Sequence, residues 1–274
     1  MTSLLPYVPV WLMVLFRLTG MFVLAPVLGS QTIPRATKAL LAMGLSFALW
    51  PMLWADPVAS ANLSEAIGGL NLWSLGMLMG FELLIGYVIG YAVSLPLIGM
   101  QLGGHLIDQQ MGLAAAQLFN PEFGDESGIT GQLLFMLALT MFVAAGGLEI
   151  MLGTLAQTFR VIPLGGFTHH EQIVQMVVGL AGLMFDIALR VAAPILCLMF
   201  LVSVGMGFIM RTVPQMNILS VGFSIRILST VAVLIISLGA MTDAFDYLAG
   251  ETLNRVMQFF MNPPPAVGEA LLWR

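Results

Sequence analysis

Charge-free apolar runs recur along this chain at residues 18–34, 39–55, 83–107, 127–148 and 191–210. Each is at or near the ~20 residues a helix needs to cross a hydrocarbon core. A soluble fold cannot hide that many such runs, because 59% of the chain is hydrophobic and only 8% is charged, against roughly 25% charged residues in soluble domains. The pattern predicts an all-α integral membrane protein with roughly four or five helices of membrane length at the least. A transmembrane β-barrel is disfavoured, since its segments alternate in polarity over about ten residues instead of running continuously apolar.

The segment opening Met1-Thr2-Ser3 reaches apolar sequence without a basic stretch or a small-residue cleavage site, so the first helix is expected to be retained. The single cysteine, Cys197, lies in an apolar run and reads as a packed thiol; it permits no intramolecular disulfide. The formal charge of −5 is dispersed and forms no block, which points away from nucleic acid and from a polybasic membrane patch. No cofactor or metal is implied: the chain has no phosphate loop, no Gly-x-Ser-x-Gly elbow and no metal-ligand spacing.

Along the chain, a first helix is expected over about residues 6–27, closed by Pro26 and Pro34. A polar connector at 30–38 leads to a second apolar run, and Asp56-Pro57 opens a loop reaching about Glu65. Residues 70–107 read as helix, with Gly76, Gly80, Gly86 and Gly90 spaced for close helix approach and with Pro96 and Gly103-Gly104 as expected kinks or ends. Residues 112–131 form the longest polar, glycine-containing insert. Another span follows through Gly146-Gly147, then a turn at Pro163 and a helix start near His169-His170-Glu171. The next apolar stretch is expected to be interrupted at Asp186, Arg190 and Pro194 and to break at 211–217. A last helix over 218–241 continues into an amphipathic segment ending near Met261. Residues 262–274 read as a tail.

Seven charges lie in or beside apolar segments: Arg17, Glu82, Glu149, Asp186, Arg190, Arg211 and Arg226. An isolated charge at mid-bilayer costs at least ~2.5 kcal/mol on insertion scales, so each needs a partner, water or a helix end. Asp186 and Arg190 are four residues apart and can pair on one face. Glu82 and Glu149 have no opposite charge within a turn, so their partners must come from another helix or chain. His105 and Asp108 are read as helix-end hydrogen-bonding groups rather than metal ligands. A proton-coupled secondary transporter using Glu82, Glu149 or Asp186 remains an alternative on these residues alone.

Beyond the individual residues, an ordered set of motifs resembles the FliR family, the R-type membrane subunits of the flagellar type III protein-export gate. Phe16-Arg17 with Gly20, Pro26, Pro34 and Lys38 is similar to the family's opening. Glu82 with Gly86 and Gly90 resembles its next helix, and the run from Gly103-Gly104-His105 through Asp108 to Gly112 resembles its approach to a central loop. Gly146-Gly147-Leu148, Pro163 and Arg190-Val191-Ala192-Ala193-Pro194 follow in order. The strongest match is Gly205-Met206-Gly207 through Arg211-Thr212-Val213-Pro214-Gln215-Met216-Asn217, then Gly222.

This resemblance implies a non-enzymatic subunit of kinked helical hairpins that joins P-type and Q-type subunits in a helical pore, beside the B-type and A-type export proteins. Residues 1–168 would be P-like and 169–261 a Q-like hairpin. A pore-plugging loop would comprise Gly112, Leu113, Ala114, Ala115, Ala116, Gln117, Leu118, Phe119, Asn120 and Pro121. Arg17, Glu82, Asp108, Arg211, Gln215, Asn217 and Arg226 would make polar contacts between subunits. It further implies the bacterial inner membrane and flagellar basal body as location, exported flagellar polypeptides as cargo, and fewer true spans than apolar runs. The injectisome counterpart shares the export-gate architecture but serves virulence secretion, and stays open as an alternative.

Overall fold

The computed structural model describes residues 8–30, 33–54, 72–112, 128–162, 164, 170–212 and 218–261. Their regular structure is entirely helical: α1 (Val8–Leu24), α2 (Arg35–Trp54), α3 (Leu72–Met111), α4 (Ile129–Ala144), α5 (Gly147–Val161), α6 (His170–Thr212) and α7 (Ile218–Met261). Among the described residues, three helices are long and apolar enough to cross a membrane, within α3, α6 and α7; the broken pair α4 and α5 makes a fourth if it crosses as one span. That is fewer than the apolar runs imply, and the reason is visible in the backbone. The 18–34 run is only the second half of α1, which stops at Leu24; Ala25–Gly29 then turn tightly around Pro26, with Val27 at φ 67°. The 127–148 run is interrupted at Gly146, whose φ of 74° suits a residue without Cβ.

Conversely, α3 passes through Pro96 and Gly103-Gly104, and α6 passes through Pro194. These were expected breaks. Proline is tolerated inside apolar helices when neighbouring groups satisfy the freed carbonyl, and the glycines turn out to be packing surfaces. At 40, 43 and 44 residues, α3, α6 and α7 have contour lengths of about 60–65 Å, roughly twice a hydrocarbon core. The amphipathic segment before Met261 is a continuation of α7.

The chain divides into two compact units, one of residues 1–94, 143–180 and 251–274, the other of 95–142 and 181–250. The borders fall beside Pro96, near Gly146, between Gly179 and Gly182, and at Gly250, residues that weaken helices.

In the first unit, α1 buries Val10, Met13, Val14, Arg17, Leu18 and Met21, spaced three and four apart on one stripe. That stripe lies on α3 at near backbone contact. A Cβ on Gly20 would stand 2.1 Å from the Leu83 carbonyl oxygen, and one on Gly86 1.9 Å from that of Arg17. Gly90 approaches the Met21 carbonyl similarly, whereas Gly76 and Gly80 meet nothing within 4 Å. The second unit packs the latter part of α3 on α6, where Gly99 and Gly103 face Ile187, Ala188 and Val191, and on α4, where Gly104 faces Thr130 and Gly131.

Gly86→Val should destabilise the protein by roughly 1–3 kcal/mol through overpacking, and Gly80→Ala should stabilise it by roughly 0.5–1 kcal/mol. Thermal unfolding in detergent tests this; equal effects at the two positions would contradict the packing described.

Candidate functional site

Two polar centres stand out, one in each unit. In the first, Arg17 is completely buried in the middle of the apolar stripe of α1. Its Nε donates to Glu82 Oε2 on α3 at 2.5 Å, and the carboxylate is 1% exposed. The other guanidinium nitrogens reach α5 and its end: Nη1 donates to Thr158 Oγ1 at 3.4 Å, and both Nη1 and Nη2 reach the Ile162 carbonyl at 3.5 and 3.4 Å. The guanidinium carbon also lies 4.3 Å from the centre of the Phe159 ring, within cation–π range. Three helices therefore converge on one cation. Arg17 and Glu82, expected to reach other subunits, are each other's partners inside the chain.

The second centre is the root of the insert at 113–127. Asp108, near the end of α3, is 5% exposed and accepts the backbone N–H groups of Thr130 at 3.2 Å and Gly131 at 3.1 Å. These belong to the first turn of α4, where orphan donors and the helix dipole favour an anion. His105 Nδ1 lies 3.4 Å from the Gly128 N–H. The helix-end role inferred for this pair is thus what the geometry displays. Gly128 has no room for a side chain, since a Cβ would stand 1.9 Å from Asp108 Oδ2.

On the other side of the insert, α3 ends at Gly112 with φ 83°. Arg226 of α7 donates from Nη1 to the Gln110 carbonyl at 3.3 Å and from Nη2 to Ser203 Oγ of α6 at 3.2 Å. A cation at a helix C-terminus is electrostatically favourable. Asp108 and Arg226 hence fix both ends of the insert on the same framework. Of the expected plug residues only Gly112 is described; residues 113–121 lie outside the described residues, as do Gln215 and Asn217.

The remaining charges resolve simply. Asp186 and Arg190 pair at 2.9 Å on an open face of α6, as their spacing predicts. Glu149 sits in the first turn of α5 and Arg160 in its last turn, each at the helix end that suits its sign. Arg211 occupies the last turn of α6 and is exposed. Cys197, expected to be packed, is exposed among the described residues. The Arg17 contact to Thr158 and Ile162 was not anticipated; the one clue is a charge at a core position of the α1 stripe.

The sequence matches the model of the bacterial export proteins, family 1, over residues 8–252. The chain belongs to that family. Among its relatives, the flagellar biosynthetic protein FliR of Bacillus subtilis is 27% identical, across 86% of this chain and 88% of its own. FliR of Escherichia coli is 24% identical across 91% and 92% of the two chains. The Yop proteins translocation protein T of Yersinia pestis is 29% identical across 77% and 78%. The match spans both polar centres, so in this export protein they are features of the family region and not of an appended segment.

Arg17→Ala or Glu82→Ala should each cost roughly 3–5 kcal/mol by stranding a buried charge, while Arg17→Met with Glu82→Leu should recover most of that loss. Unfolding in detergent reads the cycle, and additive losses would contradict mutual pairing. Asp108→Ala should cost roughly 1–3 kcal/mol, Asp108→Asn less, because one acceptor oxygen remains.

Proposed function

We propose that this protein is the R-type subunit of a type III export gate in the bacterial inner membrane, a non-enzymatic part of the passage through which flagellar polypeptides leave the cytoplasm. It assembles with P-type and Q-type subunits into a helical pore at the base of the flagellum, beside the B-type and A-type export proteins. Residues 1–168 act as a P-like part and 169–261 as a Q-like hairpin. The relatives are named for flagellar biosynthesis and for Yop translocation, which supports export as the common activity.

The observation that carries the reading is the surface left open on α6 and α7. Phe200, Leu201 and Phe208 on α6, and Leu228, Ile235 and Ile236 on α7, are each at least 60% exposed. Apolar faces of this extent mark protein or membrane contacts, and contour lengths near twice the bilayer core favour protein neighbours over much of them. The transporter alternative is weakened by the same geometry. Glu82 is held by Arg17, Asp186 by Arg190, and Glu149 sits at a helix start whose dipole suits an anion.

The insert that Asp108 and Arg226 tether, including 113–121, is the proposed plug of the passage. Its replacement by a flexible linker should raise small-solute leakage while Asp108 and Arg226 are kept. Deletion of the gene should abolish swimming, with flagellin retained in the cells, and affinity-tagged protein should co-purify P-type and Q-type subunits. Normal flagella with loss of virulence secretion would assign the chain to the injectisome instead. Ion-coupled uptake by the purified protein alone in vesicles would overturn the gate reading.

A further inference from the structure

Arg35 and Lys38 create an electrostatic mismatch at the start of α2. The positive end of a helix dipole favours anions, yet the first turn of α2 carries no acid and opens with Arg35, followed three residues later by the chain's one lysine. Spacing of three puts both on one helix face. Among the described residues neither makes an ion pair. Two cations and a set of first-turn N–H groups therefore sit together without an anion.

They also border a cavity. A cleft of about 490 Å³ between α1 and α2 is lined by Arg35 and Lys38 together with Leu15, Phe22, Val23 and Met43. Its polar groups are few: Thr19 Oγ1 is already committed to the Leu15 carbonyl at 2.7 Å. An extended peptide docked here would leave its backbone donors and acceptors unmatched, at a cost that grows with each buried group. An acyl chain has no such groups to satisfy. On the adjoining face of α2, outside the cleft lining, Leu40 and Phe47 are each 66% exposed.

From this juxtaposition we propose that the cleft between α1 and α2 binds an anionic phospholipid, its phosphate on Arg35 and Lys38 and an acyl chain along Leu15, Phe22, Val23 and Met43. Basic pockets beside membrane helices hold anionic head groups in this manner, and each cation near the surface strengthens attraction to them. The lipid balances the start of α2 and fills the cleft between the two helices. The site is independent of the export reading, since it needs only a membrane around the chain.

The test uses the full chain purified in neutral detergent and stripped of lipid, then offered dioleoyl phosphatidylglycerol or dioleoyl phosphatidylcholine, with bound lipid counted by native mass spectrometry. Phosphatidylglycerol should bind, and Arg35→Gln with Lys38→Gln should weaken it roughly 30-fold, about the combined effect of two surface cations. Both side chains project from the start of α2 outside the buried ion-pair network, and an unchanged thermal midpoint in detergent verifies that the variant folds. Val23→Trp, at a position 56% exposed, fills the cleft while keeping both cations. It should reduce binding of dioleoyl phosphatidylglycerol and leave the short dihexanoyl form unaffected. Equal retention of phosphatidylcholine, indifference to the double substitution, or competition by inorganic phosphate at equal concentration would each overturn the proposal. Displacement of the lipid by an acidic apolar peptide would do so as well, assigning the cleft to a protein partner.

Discussion

Burial of Arg17 is the constraint on which the first unit depends. An ion taken out of water in a protein interior loses several kcal/mol of solvation, and a partner repays this only with good geometry and with the remaining donors satisfied. Arg17 meets both conditions by drawing on three helices at once, through Glu82, Thr158 and the Ile162 carbonyl. Such reach requires α1 and α3 to approach closely, and the glycines at 20, 86 and 90 remove the side chains that would hold them apart. Charge and glycine placement are one device: without the close approach the pair has poorer geometry, and without the pair the approach would enclose an unpaired cation.

The second unit solves a different problem with the same materials. An insert between long helices leaves a C-terminal end of one and an N-terminal end of the next, each with unsatisfied backbone groups. Asp108 supplies an anion to the first turn of α4, and Arg226 supplies a cation to the Gln110 carbonyl in the last turn of α3. The ends of the insert are thereby fixed by charges of the sign each helix end favours, and variation in the intervening segment need not disturb the framework.

Local rules made part of this legible in the sequence. The pairing of Asp186 with Arg190 follows from helical spacing alone, whereas the glycine pair Gly103-Gly104 before Asp108 does not end α3, which runs on to Met111. Membership of the family follows from motif order along most of the chain. What spacing cannot convey is which partner lies across space. Arg17 and Glu82 are 65 residues apart, and nothing in the sequence of α3 distinguishes Gly86, which is pressed on α1, from Gly80, which faces open space. Pro96 and Pro194 mislead for a related reason. The cost of proline is set by whether surrounding groups satisfy the freed carbonyl, and that is a property of neighbours rather than of the residue.

Taken together, these placements divide the polar groups of the chain by task. Arg17, Glu82, Asp108 and Arg226 hold the chain's own helices together and so are largely spent within it. The outward faces of α6 and α7 are correspondingly apolar and poor in charge; the exceptions include the self-paired Asp186 and Arg190, the self-paired Glu251 and Arg255, Asp243 and the helix-end Arg211. Contacts made through such faces would rest on shape and apolar area, because few charges remain there to choose a partner. Arg35 and Lys38 are the departure from this economy, two cations that the described chain leaves unanswered at a helix start, and an anion from the surrounding membrane is the simplest group that satisfies both the charge and the apolar cleft beneath it.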